Sequence, residues 1–251
     1  MPPLPLIRSM LLAQFPMVRA AQSTAQGAAT DTPFGFNLGY QLGDDDSRVT
    51  ANIVRYAEAL DIEAEDLAFM HQVHGDHIRV VSEAGAYEET DAMITTQPRV
   101  GLTVRTADCV PVLLYAPAVQ AIAAVHAGWR GTAEHITRKT AARLVSEFGA
   151  EAAGIHAFVG AAADVCCYEV GEEVAALFPE RWLHHVEGKN PRLDLPGANI
   201  QQLQDLGVPA ANIERSGLCS IHERHLLHSY RRDGDRSGRM LATIVLMEEA
   251  A

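Results

Sequence analysis

Positive charge is what this chain has least of: Lys and Arg number 20 against 32 Asp and Glu, a formal charge of -12. Such a surface repels nucleic-acid phosphates and anionic lipid. An extended polyanion is therefore excluded as a ligand, whereas a small anion could still find a local basic pocket. No stretch approaches the roughly 18 consecutive apolar residues that a membrane span needs. The segment 10–18 comes nearest to a secretion signal, but Gln14 and Pro16 interrupt it and Arg8 alone precedes it. A cytoplasmic protein with neither nucleic-acid nor membrane partner is expected. Cysteine is reduced to four residues, Cys109, Cys166, Cys167 and Cys219, which stay reduced in that compartment. The vicinal pair does not bridge itself without strain. The middle of the chain lacks a Gly/Ser/Pro-rich linker, and no repeat or low-complexity tract appears. The 251 residues are accordingly read as one domain.

What remains is 48% hydrophobic, ample for a sizeable core. Pro2, Pro3, Pro5 and Pro16, the small polar run 23–32 and the acidic turn 43–46 predict an irregular region over 1–45, with residues 1–30 wrapped over the surface. Ser47 is the expected cap of a helix whose apolar stripe is Val49, Ile53, Tyr56, Ala57 and Leu60. A strand is expected at 69–73. Two apolar runs, 110–115 and 120–125, read as a hairpin covered on both faces, as in layered α/β folds. Thr132 is placed as the cap of a helix ended by Gly149. Further helices are expected at 172–178 and 196–206, the latter opened by Pro196 and stopped by Gly207, and a closing strand at 241–247.

The hairpin carries the chemistry. A turn centred between Pro117 and Ala118 sets Cys109 directly across from His126, with Cβ atoms about 4.5 to 5.5 Å apart, near enough to share an ion. His71, His74 and His77 all stand upstream as candidates for a third ligand, and spacing does not choose among them. Three mixed nitrogen and sulfur donors suit zinc and leave a fourth position for water. Alone, a cysteine or histidine is more often a satisfied core residue than a ligand. As a set, where a strand pair opens into a Gly-rich turn, they favour metal or catalysis. Beside them Arg130 sits at the start of a helix, which offers an anion site or a simple tight turn in equal measure. Arg231, Arg232 and Arg239 add guanidiniums that could reach a phosphate. His222, His225 and His228 recur every third residue and do not converge on a helix. The same Cys109 and His126 would also serve a metal-free cysteine hydrolase as nucleophile and base.

The motifs Gln72-Val73-His74-Gly75, Thr106-Ala107-Asp108-Cys109-Val110-Pro111-Val112, His126-Ala127-Gly128-Trp129-Arg130-Gly131-Thr132, Cys166-Cys167-Tyr168-Glu169-Val170-Gly171 and Ser229-Tyr230-Arg231-Arg232-Asp233-Gly234 resemble, in this order, the laccase-domain polyphenol oxidase (YfiH-like) family. The resemblance spans about residues 30–248. Members are described as purine nucleoside phosphorylases, and bacterial ones also as peptidoglycan editing factors. It implies a four-layer α/β/β/α fold and one zinc per chain on His74, Cys109 and His126. It also implies phosphorolysis of adenosine, inosine and methylthioadenosine, and deamination of adenosine. Purine nucleosides and phosphate are then the partners, with a murein precursor as another. Arg130 and Arg231 are the phosphate candidates, Asn37 fits the family's Asn-Leu-Gly motif as a substrate contact, and Asp108 joins Cys109 and His126 as a catalytic candidate. Copper is the less expected metal, because multicopper centres draw on several His-X-His pairs and none exists here. The sequence departs from the family at 20–24 and at 160–165, where substrate loops would lie.

Overall fold

The computed structural model describes residues 3–27, 32 and 34–248. Its strands begin with β1 (Leu6–Arg8), β2 (Val18–Ser23), β3 (Leu67–Met70), β4 (Ile78–Val80), β5 (Gly85–Tyr87), β6 (Ala92–Thr95) and β7 (Gly101–Thr106). They continue as β8 (Val110–Ala116), β9 (Ala121–Ala127), β10 (His156–Val159), β11 (Leu183–His184), β12 (Arg192–Leu193), β13 (Ile213–Arg215) and β14 (Met240–Leu246). The helices are α1 (Asp46–Glu58), α2 (Trp129–Ala133), α3 (Ile136–Phe148), α4 (Glu172–Ala175), α5 (Leu195–Leu206) and α6 (Tyr230–Asp233). One mixed sheet runs β1-β2-β14-β7-β3-β5 and the other β13-β10-β8-β9-β6-β4.

Side-chain alternation along the strands sorts the core into layers, because successive residues of a strand face opposite sides. On β14, Leu241 and Val245 pack with Val49, Ile53, Tyr56 and Ala57 of α1. Ala242, Ile244 and Leu246 face the other way, into a shared layer with Leu113 and Tyr115 of β8 and Ile122 and Ala124 of β9. The outer residues of those two strands, Val112, Leu114, Ala123 and Val125 among them, meet Ile136, Ala141 and Leu144 of α3 and Leu203 of α5. The order is thus α1, sheet, sheet, α3 with α5, the expected four-layer α/β/β/α sandwich. Both sheets are buried on both faces, which is why β8 and β9 are apolar without alternation.

Several expectations need correction. The 1–30 segment is not an irregular wrap: β1 and β2 pair antiparallel, and β2 pairs in turn with β14, while residues 1–2 and 28–30 lie outside the described ones. Prolines at 2, 3, 5 and 16 flank these strands and masked their signal. Asp45, not Ser47, caps α1, its carboxylate accepting from the Arg48 amide at 3.1 Å. The strand expected at 69–73 is β3, ending at Met70. Thr132 lies inside the short α2, and α3 begins after His135, whose left-handed φ of 61° breaks the two apart. The helix expected at 172–178 shortens to α4. Gly149 and Gly207, with φ of 76° and 107°, end α3 and α5 as expected, and Asp194 caps α5 with proline in its first turn.

One buried amide ties the two sheets together. Gln22 of β2 is fully buried; its Oε1 accepts from the Ala161 amide at 2.7 Å and its Nε2 donates to the Ala161 carbonyl at 3.0 Å. Gln22→Met keeps the volume but orphans both backbone groups. Each unsatisfied buried group costs about 1–3 kcal/mol, so urea unfolding should show a loss of about 2–5 kcal/mol. A loss under about 0.5 kcal/mol would mean that the amide clamp contributes little.

Candidate metal centre and its cleft

The register of β8 against β9 decides where Cys109 and His126 meet. Val110 pairs with Ala127 and Pro111 with His126, so Cys109 is the diagonal neighbour of His126 and not its direct opposite. The loop between the strands is a 3-10 turn, Pro117–Val119, closed by Gln120 at a left-handed φ of 46°, and this moves the hairpin centre one residue along. The resulting slip is two residues, which keeps a side chain on its own face. His126 shares the inter-sheet face of β9 with Ile122 and Ala124, and Cys109 shares that of β8 with Leu113 and Tyr115. Both therefore point into the gap between the sheets, at the same end.

The third side chain arrives on the connection from β3 in one sheet to β4 in the other. Of the three upstream histidines, His74 is the one brought to the pair: its ring nitrogen, that of His126 and the Cys109 sulfur all lie within 4.8 Å of one another. The His74 and His126 rings meet edge-on, with centroids 4.9 Å apart. His71 instead bonds Glu88 at 2.5 Å, and His77 the Glu89 carbonyl at 2.8 Å.

Asp91, fully buried, organises this arrangement. Its Oδ1 accepts from His126 Nδ1 at 2.8 Å and from the His74 amide at 3.0 Å. Its Oδ2 accepts from the Gly75 amide at 2.8 Å and the Val73 amide at 3.2 Å. The three amides hold His74 at φ 61°, a conformation that non-glycine residues reach only at a cost. With Nδ1 donating to Asp91, His126 presents Nε2 to the centre, the usual outer-shell device of a metal-bound imidazole. Burial alone would raise the Asp91 carboxyl, but the hydrogen bond and charge of His126, with the Gly75 and Val73 amides, hold it below the ordinary carboxylate range. Burial likewise opposes ionisation of Cys109, yet His126 and His74 outweigh it and pull the thiol well below its usual value. His126 moves the other way: burial would discharge it, while the Cys109 sulfur and Asp91 favour its protonated form.

Glycines let these parts approach. A Cβ on Gly128 would stand 3.2 Å from both Cys109 Sγ and His74 Cδ2, and one on Gly131 would stand 2.7 Å from the Gly75 carbonyl. The glycines around Arg130 thus serve close packing of α2 on the His74 turn. Arg130 itself is exposed, stacked 4.2 Å over the Trp129 ring, and does not line the cleft.

That cleft, about 590 Å³, opens over the three donors and is walled by Gln72, Arg105, Asp108, Tyr168, Tyr230, Arg231 and Arg239. Asp108 lines it, at φ 101°, with its carboxylate already engaged by Ser220 Oγ and the Arg231 amide, each at 2.6 Å. The Arg231 guanidinium lies 5.2 Å over the Tyr168 ring. Asn37 is buried away from the cleft, where it accepts from the Gly39 and Arg239 amides at 2.9 Å. Its part is to hold the backbone that carries Arg239. Sequence reasoning missed Asp91, Arg105 and Tyr168. A lone Asp between strands carries no signal, but Arg105, a charge near the end of the apolar β7, was a readable one. Arg105 Nε is buried without a partner, and burial, then the nearby Arg239, lowers its pKa. Among the described residues, Arg105, Arg231 and Arg239 form no salt bridge.

Comparison with known proteins agrees with this fold. The family model described as multi-copper polyphenol oxidoreductase laccase matches residues 19–247. The chain belongs to that family. A purine nucleoside phosphorylase of Deinococcus radiodurans is 40% identical over 250 residues, covering 98% of this chain and 94% of its own length. One from Corynebacterium glutamicum is 37% identical, with 93% and 96% covered. Among solved structures, YlmD from Geobacillus stearothermophilus superposes with a TM-score of 0.90 at 31% identity, covering 97% of this chain and 96% of that one. The Bacillus licheniformis hypothetical protein YfiH gives 0.86 at 32% identity, with 91% and 92% covered.

Asp91→Ala leaves all three donors in place but removes what aims them. Metal affinity, measured by competition with a chromogenic chelator, should fall about 10–100-fold. Binding requires a thiolate and two neutral imidazoles, so affinity should also weaken steadily as the pH is lowered. Unchanged affinity in Asp91→Ala would contradict the role given to this carboxylate.

Proposed function

We propose that the protein is a zinc-dependent purine nucleoside phosphorylase that splits adenosine, inosine and methylthioadenosine with phosphate. The reading rests on one observation above all: three guanidiniums with no carboxylate in salt-bridge range among the described residues meet the His74, Cys109 and His126 donors in a single cleft. The donor set fits zinc, since two nitrogens and one sulfur within reach of one centre leave a coordination position open. When bound, the ion supplies Lewis acidity and activates water; the latter supports adenosine deamination at the same centre. Histidine clusters of the multicopper kind are not found, because the two groups of three metal-competent side chains among the described residues are His74/Cys109/His126 and an all-cysteine set.

The chain's own residues divide the remaining work. Arg105, Arg231 and Arg239 hold phosphate by charge-assisted hydrogen bonds, and the orphaned Arg105 Nε gains the partner it lacks. Tyr230, half exposed at the rim, offers a ring face to the purine. In the reaction a phosphate oxygen bonds to the sugar carbon as the carbon–nitrogen bond breaks, and the purine leaves with the electron pair and takes up a proton.

A second reading is favoured by the Cys109 and His126 contact itself, whose lowered thiol pKa suits a nucleophile in a metal-free hydrolase. The two separate in one assay. Zinc-loaded protein given each nucleoside should release free base and a sugar 1-phosphate only when phosphate is present. Arg105→Met should raise the KM for phosphate roughly 10- to 100-fold. Base release indifferent to phosphate would sink the phosphorylase, and full activity in metal-stripped protein would favour the thiol hydrolase.

A further inference from the structure

Three of the four cysteines gather outside the cleft. Cys166, Cys167 and Cys219 have their sulfurs within 4.8 Å of one another, with Cys166 Sγ 3.4 Å from Cys167 Sγ. The backbone that carries them is pinned by hydrogen bonds on both sides. The turn carrying the vicinal pair is closed by the Cys167 and Tyr168 amides on the Asp164 carbonyl, at 2.9 and 2.8 Å. Asp164 is itself clamped by Arg215 at 2.7 Å. Cys219 stands on a bridge to Ala162, with the Ser220 amide on the Ala162 carbonyl at 2.9 Å. Cys166 is exposed, Cys167 half-buried and Cys219 buried, a graded depth that lets an ion enter from solvent.

We propose that these three cysteines form a second metal site, a three-sulfur seat for one thiophilic cation of the Cu(I) class. A cation about 2.3 Å from three sulfurs holds them about 3.8–4.0 Å apart, so sulfurs already within 4.8 Å of one another, one pair at 3.4 Å, reach that spacing with shifts of under about 1 Å. All-sulfur ligation selects soft cations. Three ligands with no nitrogen or carboxylate in the group suit Cu(I) better than zinc, which completes a tetrahedron. Each metal–sulfur bond forms as a thiol proton passes to solvent. The seat adjoins the cleft at two places: Cys167 precedes the cleft residue Tyr168, and Cys219 precedes Ser220, which bonds Asp108 at 2.6 Å. Filling it stiffens the backbone on both sides of the cleft wall.

The test is an anaerobic titration of the reduced, metal-stripped full chain with Cu(I) against a chromogenic chelator. Wild type should bind one more equivalent than Cys166→Ser and than Cys167→Ser, while the zinc stoichiometry of all three stays the same. Cys166→Ser, exposed, should retain the wild-type melting temperature, so a loss of copper there reports the site and not the fold. Equal copper stoichiometry and affinity in wild type and both variants would overturn the proposal, and so would a wild type with no equivalent dependent on these thiols.

Discussion

A single buried carboxylate holds the centre together. Asp91 accepts from His126 Nδ1 and from three successive amides around His74. These partners come from two separate stretches of the chain, the ring at the end of β9 and the amides on the crossing from β3 to β4. An unpaired carboxylate at this depth would be strongly disfavoured, so the four donors and Asp91 depend on one another. The left-handed backbone of His74, the Nδ1-bound state of His126 and the convergence with Cys109 follow from that mutual satisfaction. This is why a carboxylate outside the three-donor group fixes the geometry of its members.

The layered architecture explains where the cleft lies. Stacking two sheets that are buried on both faces leaves side chains of the inner layer exposed only where the strands end. His126 and Cys109 occupy such ends of β9 and β8, and Arg105 reaches the same cleft from the opposite face at the end of β7. The chain carries a net charge of -12, yet Arg105, Arg231 and Arg239 share this one cavity. Overall acidity repels long polyanions, whereas the local concentration of guanidinium attracts a small one. Burial and then the nearby Arg239 disfavour the charge of Arg105, a penalty that a dianion between the two would relieve.

Much of this was readable before any coordinates, and the parts that were not share a cause. The apolar runs of β8 and β9 gave away a doubly covered hairpin, and Gly149 and Gly207 marked helix ends through a backbone geometry that favours glycine. The hairpin register differs from the expected one because Gln120, a non-glycine residue, adopts a left-handed conformation that sequence does not advertise. Its two-residue slip was harmless, since the pleat repeats every two residues. β1 and β2 were hidden among prolines, and their pairing with β14 is a contact between chain ends that local pattern does not encode. Position 74 was chosen over 71 and 77 by resemblance alone, because the choice depends on Asp91, 17 residues away in sequence. Arg130 misled through its glycine neighbours, whose small size serves packing against the Gly75 carbonyl and not an anion.

The account stands or falls on one ion held by two imidazoles and one sulfur. X-ray absorption at the zinc edge, on Cys166→Ser protein loaded with one zinc per chain, measures this directly. The account predicts one sulfur in the first shell together with two nitrogen donors whose outer-ring scattering is that of imidazole. A shell of oxygen alone, or one holding two or more sulfurs, would contradict it.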